Sequence, residues 1–456
     1  MRKKLSFSSN VLIGSMLFGL FFGAGNLIFP VHMGQEAGAN ILPATIGFLI
    51  TGVGLPFLGV VAIGTSKSEG LFDLSSRVHP VYGYIMTILL YLTIGPFFAL
   101  PRTGTVSFEI GLAPYIADEY QTVALAVFTI LFFGAALFFS MHPNKILVWV
   151  GKVLNPLFLV FLGFLIVISF LRPMGNISSA PINEMYATAP FFKGFTEGYN
   201  TMDALASLAF GIIVVRSIKD LGIEEPGNIA LHTVKAGIVS IILMSVIYTS
   251  LSYLGTTSIS QFEMSSNGGI ALAQISRYYF GNFGSILLAL IITIGCLKTA
   301  IGLITACSET FKEMFPKTFS YKVYVVIFTV FACFAANLGL TQLISLSIPI
   351  LMFLYPLAIA IIILGLLSPL FKDRQVVYVT TSAFTLLVSI ADMLNAMPES
   401  IKSRETIQVI LGFYKNNLPF FELGMGWVIP MMAGLAIGLM ISAVTKPHDK
   451  PVDIKR

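Results

Sequence analysis

The chain has 456 residues, of which 56% are hydrophobic and only 11% are charged, and its mean hydropathy is +0.87. Soluble globular domains carry about 25% charged residues, so this composition excludes an ordinary soluble protein and places the chain in a lipid bilayer. The net charge is +5, and the positions of the basic residues along the chain are more informative than this sum, because they predict the orientation of the spans. We expect the bilayer itself as a partner, and no nucleic acid.

Apolar runs of about 20 residues recur along the whole length, each long enough to cross a hydrocarbon layer of about 30 Å as a helix. They predict an all-α membrane protein, with one polytopic domain over residues 1–456 and about twelve transmembrane helices. The predicted spans are 10–31, 41–63, 81–107, 122–140, 147–171, 196–215, 234–255, 284–306, 322–338, 343–367, 376–395 and 423–444.

The positions of the basic residues predict the orientation of these spans. If the N-terminus is inside, most of the 27 lysines and arginines fall in segments on the cytoplasmic side, as the positive-inside rule requires. We therefore expect a multi-pass protein of the cell membrane with both termini in the cytoplasm.

The first span contains the run Gly-Leu-Phe-Phe-Gly-Ala-Gly-Asn-Leu-Ile-Phe-Pro from Gly19 to Pro30. Glycines, an amide and a proline stand where a stable helix favours alanine or leucine. A break in the helix would free backbone groups, which lipid tolerates mainly around a cavity. Close helix packing is the alternative reading of the glycines, but packing requires neither Asn26 nor Pro30. We therefore predict a binding site at this break.

The sixth span carries small residues and a hydroxyl at a similar depth, in the run from Asn200 to Gly211. A second break there would face the first. At such breaks, helix N-termini present N–H groups to a carboxylate, while carbonyl groups and the Asn26 side chain can hold a cation or an ammonium. These are the two poles of an amino acid.

Three strings carry a resemblance to a known family: Gly-Ala-Gly-Asn-Leu-Ile-Phe-Pro ending at Pro30, Pro-Arg-Thr-Gly-Thr-Val-Ser-Phe-Glu ending at Glu109, and Gly-Tyr-Asn-Thr-Met-Asp-Ala ending at Ala204. Together they resemble the branched-chain amino acid:cation symporter (BrnQ) family over essentially the whole chain. The resemblance implies transport of leucine, isoleucine and valine with H⁺ or Na⁺, without a cofactor and without enzyme activity. The order of preference among the three amino acids does not follow from it.

More distantly, the first-span motif and the string Ser-Leu-Ala-Phe-Gly ending at Gly211 are similar to LeuT-type transporters. This likeness implies a 5+5 inverted repeat over residues 10–171 and 196–367, with discontinuous spans 1 and 6, and extra helices at 376–444. The substrate backbone would lie at the two breaks, with Phe210 closing over its side chain. The implied substrate-binding residues are Phe22, Gly23, Ala24, Gly25, Asn26, Ser207, Ala209, Phe210 and Gly211.

The same likeness places Lys298 and Thr299 where LeuT-type transporters offer two hydroxyl groups to sodium. Hydrophobic residues flank Lys298 on both sides, so we expect its ammonium group to replace sodium there, either as a proton carrier or as a permanently charged tether. A separate cation site at Asn26 and Thr201 stays open, so a sodium site is the one metal site considered. The candidates on the cation side are Gly19, Phe21, Asn26, Thr201, Lys298 and Thr299.

Further charges lie in or at the edges of apolar spans, where a charge is costly unless it is paired or hydrated. Arg102 and Glu109 are seven residues apart near one face of span 3, and form either a gate pair or an anchor for the end of that span. Asp203 either guides a substrate ammonium group or serves as a polar partner for groups on a neighbouring span. Asp392, in span 11, is a further functional candidate.

Other functions fit the sequence less well. No HExxH or GxSxG motif indicates a membrane-embedded enzyme, and no repeated carbonyl-loop signature indicates a channel. A transporter of another amino acid or of a small amine is the closest rival, because the two breaks suit any zwitterion. We expect alternating access, in which the substrate and the cation bind between spans 1, 3, 6 and 8.

Overall fold

A computed structural model describes residues 13–14, 17–19, 21–23, 25–141, 155–220, 223 and 226–445. Within these ranges the protein is helical and has no β-strand. Seven described helices are long and apolar enough to cross a membrane by length and composition, and three shorter ones are also apolar. Each predicted span overlaps a helix, although the start of the fifth, at residues 147–154, lies outside the described ranges.

The described residues of the first half of the chain form ten α-helices from Gly25 onwards. In chain order these are α1 Gly25–Ala37, α2 Ile41–Leu49, α3 Leu55–Thr65, α4 Leu71–Ser76, α5 Pro80–Leu92, α6 Ala99–Gly111, α7 Asp118–Ser140, α8 Asn155–Leu171, α9 Glu184–Thr188 and α10 Pro190–Glu197. Short π-helical segments join α2 to α3 and α5 to α6.

In the second half, residues 203–220 and 226–445 contain nine α-helices, several of them much longer than a bilayer requires. They are α11 Asp203–Asp220, α12 Pro226–Ser258, α13 Gly268–Met314, α14 Tyr321–Ala336, α15 Leu340–Phe371, α16 Gln375–Asn395, α17 Glu399–Lys402, α18 Glu405–Asn417 and α19 Val428–Val444. Helix α13 is kinked at Gly281, whose φ of +60° favours glycine. The kink separates the start of the helix from the apolar part that follows it, Leu288–Met314.

Four pairs of helices build the core around the broken spans. Helix α1 packs on α12, α2 on α10, α3 on α11, and α6 on α13. Every described residue of α1 that faces these neighbours is almost completely buried, including Ile28 and Met33. The two broken spans therefore lie inside the protein, where their free backbone groups can be satisfied.

Glycine makes the contact between α1 and α12 close. A Cβ atom on Gly34 would overlap the carbonyl group of Ser252. We therefore expect Gly34→Ala to push α1 away from α12 and to destabilise the protein by about 1–3 kcal/mol, as overpacking does. The measurement is the midpoint of thermal unfolding of the purified protein in detergent.

The matched control is Gly412→Ala in α18, where no atom lies within 4 Å of the added methyl group. Alanine is favoured over glycine inside a helix, so this variant should unfold at or above the wild-type temperature. Equal unfolding midpoints for Gly34→Ala and the wild type would contradict this prediction. They would show that α1 and α12 can adjust to a methyl group between them.

Candidate functional site

The first span is interrupted at the place that the sequence predicted. Phe21 is helical, whereas Phe22 and Gly23 are not. Helix α1 then begins at Gly25. The N–H group of Gly23 donates a hydrogen bond of 2.9 Å to Oδ1 of Asn26, so the Asn26 amide oxygen holds the break open rather than facing a ligand. Ala24, a predicted binding residue, lies outside the described residues.

The sixth span is also interrupted, but the predicted position at Ser207 to Gly211 is wrong. A short 3₁₀ segment, Gly198–Thr201, follows α10, and Met202 adopts a left-handed conformation with φ of +60°. Helix α11 then runs without a break from Asp203 to Asp220. Ser207 is part of this continuous helix, and its hydroxyl donates a hydrogen bond to the carbonyl of Ala204 in the preceding turn. No free backbone group is left there for the Ser207 hydroxyl to bind.

The remaining predicted residues of α11 are divided between two environments. Ser207 and Gly211 pack against α3. A Cβ atom on Gly59 would overlap the Ser207 hydroxyl, and a Cβ atom on Gly211 would contact Ile63. The carbonyl group of Ala209 accepts a hydrogen bond of 3.1 Å from the Tyr91 hydroxyl. These three residues are therefore structural contacts in this state.

Asp203 is the centre of a buried hydrogen-bond network that joins the two breaks. Its Oδ2 atom accepts hydrogen bonds from Nδ2 of Asn26 at 2.6 Å and from the hydroxyl of Tyr248 at 2.9 Å. Asn26 Nδ2 also contacts the Tyr248 hydroxyl. The Asp203 side chain is 3% exposed, so two donors stabilise a carboxyl group that lipid alone would penalise.

Arg102 stabilises the sixth-span break from the other side. Its Nη1 atom donates to the carbonyl group of Asn200 at 2.9 Å, and its Nη2 atom donates to the hydroxyl of Ser347 on α15. The guanidinium group also lies 5.2 Å from the ring centroid of Phe29, in cation–π geometry. Arg102 is thus a bridge between spans 1, 3, 6 and 10.

No ion pair joins Arg102 to Glu109 among the described residues, so the predicted gate pair is not formed in this structure. Glu109 instead lies beside Gly269, where α13 begins. The Nε atom of Arg102 is buried and has no partner among the described residues. One donor of the guanidinium group is therefore left for another ligand.

A cavity of about 60 Å³ lies between the two breaks, several times the space that one water molecule needs. Arg102 and Asp203 provide opposite charges in its wall, and the remaining wall is mainly apolar. The other lining residues are Phe21, Gly23, Gly25, Asn26, Ile94, Ala99, Thr103, Asn200, Thr201, Met202, Ala206, Phe210, Thr299 and Leu303. The structure thus brings both breaks, span 3 and span 8 to one place.

The predicted residues on the cation side are only partly brought together. Thr299 lines the cavity, and its side chain lies 3.5 Å from the position of a Cβ atom on Gly23. Thr201 lines it too, but its hydroxyl donates to the carbonyl of Gly198. Gly19 is helical and Phe21 is a wall residue. Lys298 does not line the cavity and forms no hydrogen bond or ion pair with any described residue.

A second, larger cavity of about 670 Å³ enters the protein from the side that the basic residues predict to be cytoplasmic. Its acidic lining residues are Glu69, Asp73, Glu309 and Glu313. Phe210 lines both this cavity and the small one, so this residue lies between them. Phe210 is therefore placed where it can separate the site from one side of the membrane.

Sequence reasoning missed three partners of the site: Tyr248, Asn200 and Ser347. Each is polar in an apolar span, which is a signal of function or of a satisfied network. The sequence cannot pair them, because Tyr248 and Asn26 are 222 residues apart and Ser347 and Arg102 are 245 apart.

Comparison with known proteins supports this architecture. Two structures of Mhp1, a nucleobase-cation-symport-1 family transporter, share the fold. One, in a closed conformation with bromovinylhydantoin bound, aligns with a TM-score of 0.57 at 14% identity over 97% of this chain and 94% of that one. The other, inward facing, gives 0.59 at 15% identity over 95% and 91%. The chain therefore shares the fold of Mhp1.

Sequence comparison identifies the family more closely. A family model described as "Branched-chain amino acid transport protein" matches residues 6–445. The branched-chain amino acid permease BrnQ of Lactobacillus delbrueckii subsp. lactis is 47% identical, covering 98% of this chain and 99% of that protein. BrnQ of Escherichia coli strain K12 is 36% identical over 94% of each. The chain belongs to the branched-chain amino acid transport protein family, whose members are multi-pass membrane transporters and not enzymes.

Proposed function

We propose that this protein imports leucine, isoleucine and valine across the cell membrane by symport with a cation, H⁺ or Na⁺, through alternating access. The observation that carries the proposal is one apolar cavity between two broken helices with a guanidinium and a carboxyl group in its wall. An amino acid with an aliphatic side chain offers the complementary charges and the complementary apolar surface. The permease names of the relatives add the preference for branched side chains.

In this proposal the substrate carboxylate binds near Gly25 and Arg102. Gly25 begins α1, so its end of the helix favours a negative charge. The unpartnered Nε atom of Arg102 is a second donor. The substrate ammonium binds near Asp203, and the aliphatic side chain contacts wall residues such as Ile94 and Leu303.

Alternating access then uses the two cavities. Movement of Phe210 joins the small cavity to the large one and releases the substrate to the cytoplasm. A twelve-span topology with both termini inside and a 5+5 inverted repeat fits this movement, with the first repeat rocking against its scaffold. The cation reorients with the substrate, because only the loaded or the empty carrier changes state readily.

The test is uptake of labelled leucine by the purified protein in liposomes, under an imposed proton gradient and then under an imposed sodium gradient. We expect saturable uptake driven by one of them, with competition by isoleucine and valine but not by glutamate or lysine. Equal competition by alanine and small amines would favour the rival substrate class. Saturable uptake that neither gradient drives would show a facilitator or an exchanger.

The same assay tests a replacement of sodium by the Lys298 ammonium group in another state of the transport cycle, since this ammonium group contacts no described polar group in the present structure. We expect proton-driven uptake in the wild type and the appearance of sodium dependence in Lys298→Thr, because the variant restores a hydroxyl beside Thr299. Lys317→Thr, at an exposed lysine outside the spans, is the control and should behave as the wild type. Sodium-driven uptake in the wild type would contradict the replacement and leave the symporter intact.

A further inference from the structure

Three buried polar groups lie together beside the sixth-span break. Asp392 in α16 is 2% exposed, and neither of its carboxyl oxygens has a hydrogen-bond partner among the described residues. The hydroxyl of Tyr199 and the indole N–H of Trp427 are also buried, and neither makes a hydrogen bond of good geometry with a described residue. Since nearly all buried polar groups in proteins are hydrogen-bonded, three exceptions in one place require an explanation.

The three groups come from three parts of the fold. Asp392 lies near the end of α16, Trp427 immediately precedes α19, and Tyr199 belongs to the 3₁₀ segment of the break. Electrostatic interaction couples the carboxyl group of Asp392 to Tyr199, and the Trp427 indole approaches the same tyrosine hydroxyl. The cluster therefore joins the two helices that follow the inverted repeat to the break itself.

Tyr199 connects this cluster to the candidate substrate site. Its ring stacks on that of Tyr355 in α15, with centroids 4.1 Å apart. The next residue, Asn200, provides the carbonyl group that accepts from Arg102. A change in the position of Tyr199 would therefore move the backbone that Arg102 holds.

Among the described residues, Tyr199 interacts electrostatically with Asp392, and further tyrosines lie on the helices that pack against α16. The break contributes Tyr199, α15 contributes Tyr355 behind it, and α18 contributes Tyr414, which donates to the carbonyl of Leu387. Helix α19 contains no titratable residue, and the indole of Trp427 immediately before it does not titrate. No charged side chain among the described residues compensates a charge on Asp392.

An ionised carboxylate with neither a countercharge nor a hydrogen bond is unfavourable inside a membrane protein. The neutral acid suits the site, because its O–H group can donate to the hydroxyl of Tyr199, which the Trp427 indole also approaches. The natural ligand of this cluster is therefore a proton.

We propose that Asp392 is a proton-binding site, and that the bound proton holds α16 and α19 against the sixth-span break. Loss of the proton creates a carboxylate that draws water into the cluster and releases Tyr199. Only the consequence for leucine uptake rests on the proposed function. The proton site itself can be tested without transport.

Trp427 is a built-in reporter, because the chain has only two tryptophans. In a Trp149→Phe background, fluorescence of the reconstituted protein reports Trp427 alone and is recorded as a function of pH. We expect one titration step in emission, since a carboxylate beside the indole changes its local field, and loss of that step in Asp392→Asn. The same step in Asp392→Asn, or no step in either protein, would overturn the proposal.

Leucine uptake as a function of pH gives the second readout. Asp392→Asn keeps the shape of the neutral acid, so we expect it to retain uptake while the pH dependence is lost. Asp118→Asn, at an exposed acid at the start of α7, is the control and should keep the wild-type profile. A wild-type profile in Asp392→Asn overturns the coupling, whereas a fluorescence step without any leucine uptake contradicts the proposed function alone.

If Asp392→Asn does not fold, Tyr199→Phe carries the test. Phenylalanine keeps the stack on Tyr355 and removes the hydroxyl that faces the carboxyl group. We expect the midpoint of the Trp427 titration to shift. An unchanged midpoint would overturn the assignment.

Discussion

Asp203→Asn should abolish most transport and leave the fold intact. The asparagine side chain has the same shape and can still accept hydrogen bonds from Asn26 and Tyr248 through its oxygen. It cannot offer a negative charge to a substrate ammonium. A hydrogen bond to a charged group contributes about 1.5–3 kcal/mol, and about 1.4 kcal/mol is a factor of ten. We therefore expect kcat/KM for leucine uptake to fall by about 10- to 100-fold.

Glu263→Gln is the control for this experiment, because Glu263 is exposed and lies away from the cavity. The thermal unfolding midpoint in detergent should be measured for both variants. Near-normal uptake by a folded Asp203→Asn protein would mean that the carboxyl group only satisfies Asn26 and Tyr248. The substrate ammonium would then have to bind the backbone carbonyls of the breaks.

Arg102→Lys should be the second variant with a large effect, although it conserves the charge. The guanidinium group reaches the carbonyl of Asn200 and the hydroxyl of Ser347 at the same time. A single ammonium group lacks the planar fork that permits this, so one of the two acceptors loses its partner. Leaving a buried polar group unsatisfied costs about 1–3 kcal/mol. We expect leucine uptake to decrease by about 10-fold or more.

The control is Arg277→Lys in the exposed part of α13, which should transport normally. Ser347→Ala separates the two contacts of Arg102, since it removes the span 10 partner and keeps the span 6 partner. A decrease in Arg102→Lys with no decrease in Ser347→Ala would show that the contact with the Asn200 carbonyl is the essential one. Normal uptake in Arg102→Lys would contradict the role proposed for the fork.

The sequence determined the class of protein and the approximate positions of the long apolar helices. Apolar runs must be helical in lipid because no water is available for the backbone, so composition and length predict helices without knowledge of packing. It also located the first break, because two glycines and Asn26 are local signals and the bond from Gly23 to Asn26 spans three residues.

Tertiary structure decided where the sixth span breaks. Ser207 and Gly211 are small residues and weaker helix formers than alanine or leucine. Helix α11 nevertheless continues through them, because small residues also permit the close approach of α3 at Gly59 and Gly211. The break lies instead at Gly198–Thr201, where Arg102 from span 3 supplies the donor for a free carbonyl.

Tertiary structure also decided which charges share the site. Along the chain Arg102, Asp203, Lys298 and Asp392 are equivalent anomalies in apolar spans. Folding places Arg102 and Asp203 in the cavity wall, leaves Lys298 outside it, and buries Asp392 beside Tyr199. The cost of a buried charge is known from the residue type, but the partner that offsets it comes from a helix hundreds of residues away. Only the packing of the helices assigns that partner.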